Sequence, residues 1–108
     1  MKKSEYYKIR VAVPLAAADQ VRQAMNAAGA SKQGNYDFVS FSTRGMGRFR
    51  PLAGAKPAIG KQGKIEQVEE EMIESLCHKD DINNVIEAIK IAHPYEEPAI
   101  DIFIRCKI

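Results

Sequence analysis

The chain opens and closes on one alternation. Along Tyr6 to Val13 the residues Tyr7, Ile9, Val11 and Val13 fall on one side and Lys8 and Arg10 on the other. From Ala99 onward Ile100, Ile102, Ile104 and Cys106 alternate with Asp101, Arg105 and Lys107. A period of two with one wet side predicts half-buried strands at both ends, in a sheet covered on one face. With 108 residues, 45% hydrophobic and 28% charged, the chain allows one compact domain and leaves no room for a second.

Helical signals separate these strands. Pro14 suits the first turn of a helix, where its missing amide would have no acceptor. Ala17, Val21, Ala24, Met25 and Ala28 then recur at helical spacing until Gly29, which can take the left-handed stop. After the turn-prone stretch Ser31 to Asn35, the aromatic and β-branched run Tyr36 to Thr43 predicts a second strand. Asp80 or Asp81 is placed to cap a second helix with the stripe Ile82, Val85, Ile86 and Ile89, and His93-Pro94 ends it. Ile65 to Cys77 reads both ways. Ile65, Val68, Met72, Ile73 and Leu76 fit a helical stripe, while Val68, Met72 and Leu76 share one strand face with Glu70 and Glu74.

Residues 44–64 differ from everything around them, holding five of the seven glycines, two prolines, six cations and no acid. A long basic loop is expected, and loops of that length inside compact domains usually serve function. Its start, Arg44-Gly45-Met46-Gly47-Arg48-Phe49-Arg50-Pro51, could bind an anion: glycines let backbone amides approach a ligand, and arginine forks match phosphate or carboxylate. The spacing is neither a P-loop nor a dinucleotide fingerprint. The competing reading is a solvated turn whose cations balance Glu66, Glu69, Glu70, Glu71 and Glu74 of the same or a neighbouring subunit.

A second candidate is His93-Pro94-Tyr95-Glu96-Glu97-Pro98. A histidine and two carboxylates within five residues could orient a ligand, act as an acid and base pair, or hold a divalent ion through His93 and Glu97. Against this, His93 at a helix C-terminus suits the dipole and Tyr95 can simply pack. His78, beside Cys77, reads as a surface histidine, and Cys106 as a small buried hydrophobe. Two cysteines are too few for a disulfide scaffold. No nucleophile with an evident base stands out, and Ser40 and Ser42 lie outside any nucleophile elbow.

Sixteen basic against fourteen acidic residues leave a net charge of +2, and the acidic stretch that follows the loop would oppose a polyanion, so nucleic acid is not an expected partner. No stretch free of charge is long enough to cross a bilayer, and a cytoplasmic protein is expected.

Taken together, Gly34-Asn35-Tyr36, Ser42 to Pro51, Pro57-Ala58-Ile59-Gly60, Glu70-Glu71-Met72-Ile73-Glu74 and Ala92 to Pro98 resemble the insert domain of the Nif-three-like (YqfO) family. The likeness covers nearly the whole chain. It implies an α+β, ferredoxin-like βαββαβ sandwich of the CutA and PII kind, four antiparallel strands with two helices on one face, and so decides the ambiguous segment as strand. It also implies a homo-oligomer, a trimer above all, joined through an uncovered sheet face to which Tyr6, Ile73 and Phe103 are assigned. In such a trimer the basic loop and the His93 segment of neighbouring subunits would meet in clefts. There Arg44, Gly45, Gly47, Arg48, Phe49 and Arg50 would hold a small anionic ligand with His93, Tyr95, Glu96 and Glu97. The family's flanking domains carry its metal ligands and its GTP cyclohydrolase-like activity, and those residues have no counterparts here. The resemblance therefore favours a binding or regulatory role over an enzyme, with divalent-metal binding as the CutA-like alternative and nucleotide turnover as a more distant one.

Overall fold

The computed structural model describes residues 1–108. Its elements run β1 (Tyr6–Pro14), α1 (Ala18–Ala28), β2 (Phe41–Phe49), β3 (Glu66–His78), α2 (Ile82–Ala92) and β4 (Ile100–Phe103), with a short 3-10 turn ahead of each helix. The four strands form one antiparallel sheet in the order β2-β3-β1-β4. This is the expected α+β sandwich, and the acidic stretch is its longest strand.

Pleating sorts the residues. Ile9, Val11 and Val13 of β1 lie opposite Ser75, Ile73 and Glu71 of β3, and face the helices. Val21 and Met25 of α1 and Val85 and Ile89 of α2 complete an eleven-residue core with no exposed member. Ile73 therefore belongs to this core and not to the uncovered face, because it sits directly across from Val11. The opposite face carries Tyr6, Lys8, Arg10 and Ala12 with Glu70, Met72, Glu74 and Leu76, and its Tyr6, Phe41 and Phe103 stay exposed. Gly29 closes α1 at φ 118°, where a Cβ would also stand 3.2 Å from the Asp81 carboxylate.

Four local expectations need correction. The second strand spans Phe41–Phe49 and not Tyr36 to Thr43. Upstream amides are spent locally: Gln33 and Tyr36 bond each other in a tight turn, Phe38 N donates to Asn26 Oδ1 and Val39 N donates to Ser31 O. The thirteen residues of β3 then offer a ladder that carries β2 through Gly45 and Gly47, so backbone pairing overrides weak strand propensity and the loop proper begins only at Arg50. Pro14 ends β1 and precedes a 3-10 turn. The His78 ring, not an aspartate, caps the turn before α2, with Nδ1 accepting from Asp80 N; Asp81 makes no side-chain cap bond. Finally, β4 stops at Phe103, which leaves Cys106 exposed beside its single bridge to Lys3.

Candidate functional site

The two chemically distinctive segments meet within a single chain. After β2 the loop from Arg50 to Ile65 folds back over the uncovered sheet face, and the connector from His93 to Ala99 approaches from the other side. Lys56 N donates to Glu96 Oε1 at 2.7 Å, and the Phe49 and Tyr95 rings meet edge to face with centroids 5.6 Å apart. Between them lies a cavity of about 480 Å³, a size suited to a small organic molecule. Half of its sixteen lining residues are hydrophobic, among them Phe49, Pro51, Leu52 and Ile59.

His93 builds the connector. Only 5% exposed, it caps α2 through its amide to Ile89 O, and its ring holds the next turn: Tyr95 N donates to Nδ1 at 3.1 Å, and Nε2 donates to Ala12 O at 2.7 Å. An Nδ1 that accepts from an amide places the ring proton on Nε2. Both ring nitrogens are thus engaged within the chain, Nε2 as donor and Nδ1 as acceptor. Glu97 has no companion donors, since no group of three His, Cys, Asp or Glu in the chain is placed to hold a metal. Within the single chain His93 takes a positioning role.

Tyr95 carries that positioning into the cavity. Its hydroxyl donates to Glu70 Oε2 at 2.7 Å. Burial, then the bond to Glu70 and its charge, push the phenol above its ordinary range, so the hydroxyl stays a donor at neutral pH. The other Glu70 oxygen lies over Gly47, where a Cβ would collide with it. Glycine at this place lets the carboxylate lie flat on the strand.

Of the expected site residues, Gly47, Arg48, Phe49, Arg50, Tyr95, Glu96 and Glu97 line the cavity, whereas Arg44, Gly45 and His93 do not. By strand alternation Arg44 falls on the helix side of β2 and Gly45, Gly47 and Phe49 on the other; Arg48 shares the parity of Arg44, yet at the end of this edge strand it still lines the cavity. None of the six cations of residues 44–64 forms an ion pair within the chain, and they do not balance the five glutamates of β3: Glu71 is bound by Arg22, and Glu74 by Lys8 and Arg10. Sequence reasoning missed Ala12, Leu52, Ile59, Glu70 and Ala99. The apolar residues inside the basic loop were the available signal, since a merely solvated turn has no use for leucine and isoleucine. Cys77 is buried and inert, its thiol pushed up to about 11 by burial and by Asp81.

No family model matches the chain. It is 46% identical over 97 residues to a GTP cyclohydrolase 1 type 2 homolog of Halalkalibacterium halodurans, covering 90% of this chain and 26% of that protein. With the homolog of the same name from Bacillus subtilis it shares 45% over 96 residues, 89% of this chain and 26% of the relative. The chain therefore spans about a quarter of the length of the curated relatives it matches. Among solved structures, a Bacillus cereus protein related to NIF3 superposes with a TM-score of 0.81 at 37% identity, over 99% of this chain and 27% of that one. The divalent cation tolerance protein CutA of Archaeoglobus fulgidus has the same fold, with a TM-score of 0.64 at 17% identity over 91% of this chain and 81% of its own.

Proposed function

We propose that this chain, a relative of the Nif-three-like (YqfO) proteins that matches their CutA-like insert domain, is a ligand-binding or regulatory module whose ligand sits in the cavity between the basic loop and the His93 connector. The observation that carries this is the cavity itself. Two segments far apart in sequence are fastened over a half-apolar chamber by the Lys56–Glu96 bond and the Phe49–Tyr95 contact. Such a chamber exceeds what packing needs, and its mixed lining joins apolar residues to Arg48, Arg50, Glu70, Glu96 and Glu97. Arg48 and Arg50 at its rim, free of acidic partners, favour an organic molecule with an anionic group. Self-association, as a trimer, is part of the proposal, supported by the exposed Tyr6, Phe41 and Phe103 on the uncovered face.

A thermal-shift series over organic acids, nucleotides and divalent ions tests the binding role. An acid or nucleotide that prefers the native state raises the melting temperature, and Arg48→Ala with Arg50→Ala removes the rise. No shift with any organic anion overturns it. Sedimentation that finds only monomer at micromolar concentration removes the oligomer. The relatives' name supplies a second reading, a nucleotide-acting enzyme. GTP turnover by the pure protein with added divalent metal would support that reading, and unchanged GTP would reject it.

A further inference from the structure

The Glu70 carboxylate lies half-buried on the cavity floor, and its only partner is a neutral phenol. Its neighbours on the same strand are treated differently: Glu71 has Arg22 at 2.7 Å, and Glu74 has Lys8 at 3.8 Å and Arg10 at 4.0 Å. The adjacent loop holds six cations, yet none of them reaches Glu70. A half-buried carboxylate with no cation within reach keeps one oxygen unsatisfied, and a charge-assisted bond to that oxygen would be strong. Gly47 keeps the second oxygen uncovered by any side chain of its own strand position.

We infer that Glu70 is the specificity group of this cavity, and that the ligand presents an ammonium or amino group to it while its apolar body packs on Phe49 and Tyr95. The inference rests on the binding role proposed above and adds a second pole to it. The ligand is amphoteric, with a donor end on the floor and an anionic end at the arginine rim. Tyr95 positions Glu70, with its hydroxyl fixing one carboxylate oxygen so that the other faces the donor.

Two probes separate the poles: phenethylamine, which has only the positive end, and 3-phenylpropionate, which has only the negative one. Titrated at millimolar concentration into the ¹⁵N-labelled protein, phenethylamine should shift the amides of Gly47 and Tyr95. Glu70→Gln should weaken it by about tenfold or more, the loss expected for a charged hydrogen bond. The same variant should leave 3-phenylpropionate unchanged, which also shows that it is folded. Gly47→Ala, which displaces the carboxylate, should weaken phenethylamine in the same direction. If 3-phenylpropionate binds and phenethylamine does not, or if Glu70→Gln weakens both equally, the role of Glu70 is overturned while the binding module stands. If neither probe shifts any cavity amide, both fail.

Discussion

Glu70 and Glu71 are adjacent on β3, yet the two sides of the sheet treat them in opposite ways. Glu71 faces α1 and accepts from Arg22 Nη2 at 2.7 Å, and that guanidinium also bonds Ser42 Oγ at 2.9 Å and Asp19 Oδ1 at 2.8 Å. Glu70 faces the cavity and has a phenol and no cation. On the covered side the chain supplies Glu71 with its counter-charge, so that carboxylate serves as architecture. On the other side Glu70 has none, although Lys8 and Arg10 serve Glu74 on the same face and the adjacent loop holds six cations. A carboxylate whose needs are met locally stabilises a fold, and one whose needs are unmet in a chamber is a candidate for recognition.

This contrast can be broken by measurement. The largest effect belongs to the covered side: Ile73→Ala, in the core, should cost about 2 to 5 kcal/mol in urea unfolding. Its counterpart on the cavity rim, the exposed Leu52→Ala, should stay within about 0.5 kcal/mol. Comparable losses would show the loop to be core and not rim. Next, Arg22→Ala strands a partly buried Glu71 and should cost about 1 to 3 kcal/mol, whereas Glu70→Gln, whose amide oxygen still accepts from Tyr95, should cost less than about 1 kcal/mol. If Glu70→Gln proves as damaging as Arg22→Ala, Glu70 is structural after all. Alkaline pH probes one group on each side. Cys77 beneath the helices, at about 11, and Tyr95 in the cavity both keep their protons beyond their ordinary ranges. Above about pH 9 the unfolded chain binds fewer protons than the folded one, so stability holds below that pH and declines as pH rises through it. Tyr95→Phe should flatten the upper part of the decline in melting temperature and leave the Cys77 part. A decline identical to wild type would show that the tyrosine contributes none of it.

Much of the architecture was legible because it obeys period two or period 3.6. The alternations of β1 and β4 and the stripe of α2 each report which face is buried, and burial is what those patterns encode. The segment 65–77 was not legible from its own residues, because a glutamate-rich helix and a strand with one wet face place the same apolar residues at the same positions. The resemblance settled it. β2 was displaced for a different reason: Gly45 and Gly47 are poor strand formers, and only the long ladder of β3, a non-local partner, makes them extended. The site was half legible. Arginines, glycines and the His-Pro-Tyr-Glu-Glu run marked its two walls, but its floor, Glu70 with Ala12, depends on register across three strands. The His93 ring looked like a ligand because its chemistry permits one, and its two hydrogen bonds in the folded chain show that it is spent on holding Tyr95.

The smallest expected effect is also the sharpest about the floor. Gly45 and Gly47 lie two apart on β2 and share the face turned away from the helices, Gly45 exposed and Gly47 half-buried. A Cβ at Gly45 meets nothing within 4 Å, whereas one at Gly47 lands on the Glu70 carboxylate. Neither glycine has a positive φ, so alanine is conformationally welcome at both. Gly45→Ala should therefore stabilise by about 0.5 kcal/mol, through the entropy it removes from the unfolded chain. Gly47→Ala gains the same entropy and loses it again by pushing Glu70 off the strand and away from the Tyr95 hydroxyl, so its net effect in urea unfolding should be close to zero or slightly unfavourable. Removing the obstacle restores the equivalence: in a Glu70→Ala background the two glycine substitutions should stabilise equally, a coupling that a double-mutant cycle reads directly. Should Gly47→Ala remain worse than Gly45→Ala without the carboxylate, the glycine is there for the backbone, and the floor of the cavity is not held open for a ligand in the way its geometry suggests.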